Sequence, residues 1–415
     1  MLFQFGPYSS LLLPFFVQGI VFSVLLLVRS WRRSEPADRW LAALILLLTA
    51  NVAQWMLGFA GWYDAHNAYS TFMFYFPFPM YLGAGPLFYF YFRSLTNPAF
   101  RLQPRQRWHF APFFAYLGWF AVCFGVDVLL RHGLLGQPLP EHFGTKGALI
   151  SLSGVHTAAE LLNYVSLAGY GYLALREFRQ YARYLDDNFS DTERRRFRWL
   201  RHVLVAVLAG TMVSVAFSLV GLGVELSYVQ FWYSYLFTGV LLYYLSVGGW
   251  QAQQQWRVPL QFEPAPLGGD PATAPAEVPV APADAAAEAP AAELLRWTER
   301  LEQLMRAERP YLEPDLSLAE LAARLRTNPV ALSKVINSGF GQNFNDFVNG
   351  YRVTEAERLL IDPRYQHYTL VAIALESGFN SKSTFNRVFK KLRGETPSEA
   401  ALRLKSQPEP SQIIT

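Results

Sequence analysis

The chain has 415 residues, 52% of them hydrophobic and 16% charged, with a formal net charge of +4 at pH 7. This length allows two or three domains, and the excess of hydrophobic residues excludes an average soluble composition. The single cysteine, Cys123, lies within an apolar stretch and rules out an internal disulfide. No Cys/His spacing is typical of zinc, so we expect neither a metal site nor a cofactor.

Seven apolar segments in the first 250 residues are long enough to cross a bilayer. The N-terminus lacks the positive charges and the small-residue cleavage site of a signal peptide, so we expect the first segment to be retained. The pattern predicts a seven-span transmembrane domain over residues 1–250, with spans at 8–28, 40–62, 69–92, 108–130, 149–175, 202–222 and 228–248.

Positive residues are distributed unevenly among the loops that join these segments. Arginines cluster after the first segment, after the third and, most densely, after the fifth, whereas none follows the second or the sixth. Cytoplasmic loops of membrane proteins carry an excess of Lys and Arg. The pattern therefore predicts a multi-pass membrane protein with its N-terminus outside and its C-terminus in the cytoplasm.

Polar residues inside the apolar segments form a candidate signal site. They are costly in hydrocarbon, so they mark either a functional lining or hydrogen bonds between helices. We leave open whether this set lines a site for a signal ligand, whose identity is unknown, or joins neighbouring helices. The site consists of Asn51, Gln54, His156, Glu160 and Asn163, of which the last three share one helical face. A zinc site is disfavoured because His156 and Glu160 lack a third ligand at metal spacing.

The composition changes after the seventh segment. Residues 251–293 are rich in proline, alanine and acidic residues, and such a segment cannot bury a core, so we predict a disordered, flexible tether. Residues 294–316 resume a helical pattern, with Leu294, Trp297 and Leu301 at heptad-like spacing. Two heptads are too few to identify a coiled coil. This connecting helix therefore either packs against the next domain or forms a dimer contact.

Two helix-turn-helix patterns follow within residues 317–405. In the first, Ser317 and Glu320 form a capping box, and Pro329 stands at the first helical position of the second helix. A central helical pattern of about 17 residues, roughly 26 Å long, leads to the second unit. Two recognition helices held that far apart fit successive major grooves on one side of DNA.

The second helix-turn-helix pattern extends from Leu370 to Pro397. Gly378 ends its first helix where a positive φ is required, and either Asn380 or Ser381 caps the next helix. That helix opposes an apolar stripe to a basic and polar face. Residues 317–405 contain thirteen Lys and Arg against eight Asp and Glu, a net charge of +5 that suits contacts with phosphates.

This region resembles the DNA-binding domain of the AraC/XylS family of bacterial transcription regulators. The resemblance rests on SLAELAARL, LSKVINSGFGQNF, YRVTEAERLL and ALESGFNSKSTFNRVFKKLRGETP, about a fifth of the chain. It implies double-stranded promoter DNA as the partner. The side chains that would face DNA are Val330, Ser333, Lys334, Lys382, Ser383, Thr384, Asn386, Arg387, Lys390 and Lys391. An inserted Phe340-Gly341 departs from the family pattern, and we expect Gly350 to interrupt the central helix.

The combined patterns predict an all-α protein with an N-terminal seven-helix transmembrane bundle, a disordered tether, a C-terminal double helix-turn-helix domain and a short tail at 406–415. We interpret it as a one-component transcription regulator of the bacterial inner (cytoplasmic) membrane and not as an enzyme. Besides DNA and the lipid bilayer, a homodimer and RNA polymerase are candidate partners. The alternative is a membrane transporter or enzyme whose C-terminal helical domain mediates protein contacts. Release of the DNA-binding region by proteolysis in the tether stays open.

The distribution of positive charge generates a prediction about topology. Reporter fusions at Asn188 and after Trp250 should both give a cytoplasmic signal, and a fusion at His66 should give an external one, because the arginine-rich loops stay inside. Paired alkaline phosphatase and fluorescent protein fusions measure both states. An external signal after Trp250 would place the helix-turn-helix region away from DNA and contradict the interpretation.

Overall fold

The computed structural model describes residues 4–33, 35–65, 67–78, 80–97, 100–139, 154–191, 198–224, 226–252 and 288–406. These residues form helices, and the β-structure among them is one isolated bridge between Phe189 and Ser317. The all-α prediction is therefore confirmed. The chain divides into two compact units, Met1–Phe178 with Arg198–Glu263 and Arg179–Phe197 with Pro264–Thr415.

The first unit contains most of the apolar sequence. Its α-helices, numbered in chain order, are α1 (Pro7–Arg33), α2 (Pro36–Phe59), α3 (Ala68–Tyr75), α4 (Ala84–Thr96), α5 (Ala111–Phe124), α6 (Val155–Asn188), α7 (Arg198–Gly223) and α8 (Tyr228–Ala252). A 3₁₀ turn (Pro104–Phe110) precedes α5, and a π-helix (Gly125–Leu134) continues it. The residues of α6 from Arg179 onward belong to the second unit.

Four helical segments are long and apolar enough to cross a membrane: Pro7–Arg33, Pro36–Phe59, Pro104–Leu134 and Arg201–Gly221. The predicted count of seven continuous spans is therefore not exact. The prediction of one helix over residues 69–92 is wrong, because this stretch forms the shorter helices α3 and α4. Phe76 has an extended backbone, with ψ of 127°. Pro77 explains this break, since a proline disfavours the helical conformation of the residue before it.

A buried ion pair joins three helix ends of the first unit. The guanidinium of Arg29, near the end of α1, donates to both carboxylate oxygens of Asp38 in the first turn of α2, at 2.6 and 2.8 Å. It also donates to the carbonyl oxygen of Trp250 in the last turn of α8, at 2.8 Å, and lies over the Trp250 ring. Both charged side chains are buried. The end of the first predicted span, the start of the second and the end of the seventh thus meet at one place.

The second unit contains the helices α9 (Glu288–Ala307), α10 (Leu318–Arg324), α11 (Pro329–Phe340), α12 (Phe344–Ile361), α13 (Leu370–Glu376), α14 (Lys382–Arg393) and α15 (Pro397–Ser406). Two hydrophobic clusters form its core. The first includes Leu301, Leu321, Ile336 and Phe347, and the second includes residues of α13, α14 and the later part of α12. Since α12 contributes to both clusters, it is the element that the two helix-turn-helix units share.

The connecting helix and the tether differ from the prediction at their boundary. Helix α9 begins at Glu288, inside the segment predicted as disordered, so the tether prediction is wrong for residues 288–293. Residues 253–287 of the predicted tether lie outside the described part of the chain. Leu301 and Met305 of α9 are buried in the cluster of the first helix-turn-helix. Of the two alternatives for this helix, packing against the next domain is the one observed.

Gly350 does not interrupt the central helix. Helix α12 runs without a break through 18 residues, so this expectation is wrong. The inserted Phe340-Gly341 lies at the end of α11. Phe340 is the last residue of this helix, and Gly341, with φ of 66°, ends it in the left-handed conformation that glycine favours. The insertion is thus accommodated by a helix end.

The Arg29–Asp38 pair generates a prediction about stability. Removing one partner of a buried pair leaves an uncompensated charge, which costs about 3–5 kcal/mol. We expect Asp38→Ala to lower the midpoint of thermal unfolding of the full chain in nanodiscs far more than Asp64→Ala, because Asp64 is exposed. The double variant Arg29→Met/Asp38→Leu should recover much of the loss. A single variant as stable as the double variant would contradict this role.

Candidate functional site

The first helix-turn-helix forms as its capping residues dictate. The carboxylate of Glu320 accepts the Ser317 backbone N–H at 2.7 Å, and the Ser317 hydroxyl oxygen accepts the Glu320 N–H at 3.3 Å, so both residues of the capping box are engaged. The Asn328 side chain accepts the Ala331 N–H at 2.7 Å immediately before α11. Pro329 occupies the first helical position, where its missing N–H leaves no bond unmade.

The turn of the second helix-turn-helix depends on Gly378. This residue has φ of 87°, and a Cβ on it would collide with the backbone carbonyl oxygen of Tyr311. Both the conformation and the close approach therefore require glycine. The hydroxyl of Ser381 accepts the Thr384 N–H at 3.2 Å, which identifies Ser381 as the cap of α14. Asn380, the other candidate cap, takes part in different contacts.

Most of the residues predicted to face DNA have exposed side chains. On α11, Val330 is 81% exposed, Lys334 is exposed and Ser333 is half-buried. On α14, Asn386 is half-buried, and the exposed members of the set are Lys382, Ser383, Arg387, Lys390 and Lys391. The second helix of each helix-turn-helix, α11 or α14, therefore has exposed polar side chains on the face predicted to meet DNA.

Two residues of the predicted set are engaged within the domain. Thr384 is buried, and its hydroxyl lies 2.9 Å from that of Ser381, so it supports the turn from inside. The Lys391 ammonium forms an ion pair of 2.6 Å with Asp346 of α12. The sequence analysis assigned Thr384 to the polar face of α14 because its hydroxyl is polar. Thr384 precedes the buried Val388 by four residues, however, so both side chains lie on the inner face of the helix.

Helix α12 holds the two helix-turn-helix units at a fixed separation. Its 18 residues give a length of roughly 27 Å, and its side chains enter both hydrophobic clusters. Near its middle, Arg352 is only 1% exposed. The guanidinium donates to the carbonyl oxygens of Tyr311 and Glu313, each at 2.8 Å, and to the Ser190 hydroxyl at 3.0 Å.

Arg352 remains charged at neutral pH. Burial lowers the pKa of Arg352 to about 10, and the nearby carboxylates of Asp191 and Asp315 oppose that shift. The sequence analysis did not identify this residue. The signal was present, because Asn349, Arg352 and Glu355 recur every three residues on a face of the central helix that would otherwise be apolar.

A cavity of about 380 Å³ lies in the first unit. It brings together three members of the candidate signal site, Asn51, Glu160 and Asn163, and its other walls are mainly apolar and aromatic. The Glu160 carboxylate accepts hydrogen bonds from the hydroxyls of Tyr164 and Ser218, both at 2.9 Å. The side-chain oxygen of Asn163 is buried and, among the described residues, has no hydrogen-bond partner.

The other two members of the candidate signal site do not line this cavity. A ring nitrogen of His156 lies 2.7 Å from the Tyr116 hydroxyl, and the ring packs edge-on against Phe120. Gln54 is half-buried in α2. The shared helical face of His156, Glu160 and Asn163 therefore does not correspond to a single site.

Comparisons with known proteins match the C-terminal region. Residues 321–403 match a family model described as "Helix-turn-helix domain". An uncharacterized HTH-type transcriptional regulator of Staphylococcus aureus (strain COL) is 34% identical over 89 residues, which is 21% of this chain and 12% of that protein. Regulatory protein PocR of Salmonella typhimurium (strain LT2) is 27% identical over 103 residues, 25% of this chain and 33% of that protein. No solved structure matches the chain.

The C-terminal region is a helix-turn-helix domain of the AraC type. A domain of this kind implies DNA binding, and the relatives that share it are named as regulators. The chain covers no more than a third of the length of these relatives. The matches therefore concern the AraC-type domain. The first unit is interpreted from its own sequence and structure.

The open face of α14 generates a prediction about DNA recognition. Arg387→Ala should cost about 1–3 kcal/mol at the specific site and relax its sequence preference, because an arginine can pair with a guanine edge. Lys390→Ala should weaken specific and random DNA about equally and reduce the salt dependence by about one ion. Binding titrations at several salt concentrations measure both effects. Equal losses on both DNAs for Arg387→Ala would contradict base reading.

Proposed function

We propose that this protein is a membrane-embedded, one-component transcription regulator, which binds promoter DNA through both helix-turn-helix units of its AraC-type domain. The observation that carries the proposal is the pair of capped helices, α11 and α14, whose polar faces are open and whose separation is fixed by α12. Two such helices suit successive major grooves. The net positive charge of residues 317–405 favours association with the phosphate backbone.

The membrane location is supported by composition and by geometry. Four helical segments have the length and apolarity of spans, and most of the arginines in the first 250 residues lie in alternate loops. Arg29, near the end of α1, binds the start of α2 and the end of α8, and the predicted topology assigns all three helix ends to the cytoplasmic side. We therefore propose the bacterial inner membrane as the location, with the N-terminus outside and the C-terminus inside.

The cavity of the first unit supports a sensing role. Its polar wall offers two acceptors, the Glu160 carboxylate and the Asn163 side-chain oxygen, and so it favours a ligand that donates hydrogen bonds. Trp55 and Tyr235, whose rings stack 4.3 Å apart, belong to its aromatic wall. An amphiphile with an amine head group and an apolar body fits these walls, and a cation is attracted to both a carboxylate and an aromatic face.

Further partners belong to the same proposal. The open face of α14 leaves room for DNA, while lipid would cover the apolar helices of the first unit. A homodimer would double the number of recognition helices. RNA polymerase would be the partner through which the promoter-bound protein changes transcription. The rival interpretation is a membrane transporter or enzyme that uses its helical domain for protein contacts, and the match to an AraC-type domain favours regulation over it.

Mapping promoter occupancy on the chromosome tests the proposal as a whole. The full chain with a C-terminal tag should be recovered at specific sites, and the crosslinked protein should have the size of the intact polypeptide. Recovery of a C-terminal fragment alone would indicate proteolytic release from the membrane. Absence of any enriched site, with the protein present in the membrane, would favour the transporter or enzyme interpretation.

The cavity generates a prediction about ligand binding. A long-chain primary amine should raise the thermal unfolding midpoint of the full chain in nanodiscs, and the alcohol of equal length should do so less, because the Glu160 carboxylate attracts a cation. Glu160→Gln should remove the difference between the two probes. The control Asp64→Asn changes an exposed acid outside the cavity and should retain it. An amine effect that survives Glu160→Gln would contradict this site.

A further inference from the structure

Three residues that follow α6 lie against the AraC-type domain. Phe189, Ser190 and Asp191 belong to the loop between the fifth and sixth predicted spans, and in the structure they are part of the second unit. The Ser190 backbone N–H donates to the Leu316 carbonyl oxygen at 3.1 Å, and its hydroxyl donates to the same oxygen at 2.7 Å. Leu316 stands immediately before the first helix-turn-helix. We call Phe189–Asp191 the docking segment.

The central helix α12 binds the other side of the docking segment. The Asn345 amide donates to the carbonyl oxygens of Phe189 and Ser190, at 3.1 and 2.8 Å. The Asn349 amide lies 3.4 Å from the Ser190 carbonyl oxygen, and the Arg352 guanidinium donates to the Ser190 hydroxyl at 3.0 Å. Ser190 is 1% exposed, so its polar groups are satisfied almost wholly by the domain.

Asp191 extends the contact to the second helix-turn-helix. Its carboxylate accepts the side-chain amide of Asn380 at 2.7 Å, and Asn380 also donates to the Pro314 carbonyl oxygen at 3.2 Å. Asn380 lies in the turn just before α14. The docking segment therefore bridges the start of the first helix-turn-helix, the shared helix α12 and the turn of the second helix-turn-helix.

Charge explains why this contact is favoured. Arg352 is buried and positively charged, and a buried charge without compensation is strongly destabilising. Asp191, itself 5% exposed, brings a negative charge close to it. The docking segment thus supplies both hydrogen-bond partners and a counter-charge to the centre of the domain.

We infer that Phe189–Asp191 is an intramolecular docking segment that braces the two helix-turn-helix units in their DNA-binding arrangement and attaches the AraC-type domain to the loop between the fifth and sixth predicted spans. The hydrogen bonds of the docking segment do not involve the exposed side chains of Val330, Lys334 and Lys390, so docking is compatible with DNA binding. If both helix-turn-helix units are held in place before they meet DNA, less conformational entropy is lost on binding. A rearrangement of the flanking spans that withdraws the segment lowers DNA affinity. The inference rests on the proposed function.

Crosslinking in native membranes tests the contact itself. Asp191→Cys and Asn380→Cys are combined in a Cys123→Ser background, a protease site is inserted within residues 264–287, and a short bifunctional thiol reagent is added. After cleavage, the two fragments should stay joined. The control pair replaces Asn380→Cys by Ser338→Cys, at an exposed position of α11, and its fragments should separate. Fragments that separate equally in both pairs would overturn the contact.

Promoter occupancy tests the consequence. Asn345→Ala removes two hydrogen bonds to the docking segment, and we expect it to lower the yield of the Asp191→Cys/Asn380→Cys crosslink at least threefold and specific occupancy several-fold. Thr354→Ala, an exposed position of the same helix α12, should change neither.

The occupancy experiment also distinguishes the inference from the proposed function. If crosslinking falls while occupancy stays at the wild-type level or rises, the bracing role is wrong and the regulator stands. If the wild-type chain occupies no specific site, the proposed function itself fails. Membrane levels of each variant, measured by immunoblot, exclude loss of protein as the cause of lower occupancy.

Discussion

The fold of the second unit depends on the hydrogen bonds that the buried guanidinium of Arg352 donates. This guanidinium lies near the middle of α12, between the hydrophobic clusters of the two helix-turn-helix units, and binds the carbonyl oxygens of Tyr311 and Glu313, which precede the first helix-turn-helix. A planar group with five N–H donors can satisfy several carbonyl oxygens at once, and a lysine ammonium cannot reproduce that geometry. One buried charge therefore fixes where the chain enters the domain relative to its central helix.

The first unit uses the same physical device. Arg29 is buried, pairs with Asp38 and binds the carbonyl oxygen of Trp250 at the end of α8. Helix ends present carbonyl oxygens without intrahelical partners, and a buried arginine satisfies them while its charge is held by an acid nearby. In both units, then, an arginine converts unsatisfied backbone groups into a fixed junction.

Local rules predicted the AraC-type domain closely. Capping at Ser317, proline at position 329 and the positive φ of Gly378 each depend on a few neighbouring residues, so their sequence signals were sufficient. Other features depended on partners far along the chain. The burial of Thr384, the grouping of Asn51 with Glu160 and Asn163, and the contacts of Ser190 arise from tertiary packing, which periodicity does not specify. Pro77 carried a local signal that breaks the third predicted span, and overall apolarity obscured it.

The position of the docking segment along the chain also sets an order of assembly. Ser190 is synthesised before the sixth and seventh predicted spans, whereas Asn380, on the far side of its binding site, follows Asp191 by 189 residues. At about 5–20 residues per second, roughly 10–40 s separate them on the ribosome. The segment is thus synthesised first, and the domain residues that bind it, Asn345 and Asn380, are synthesised later. Completion of the domain's polar centre around Arg352 therefore follows synthesis of the whole first unit.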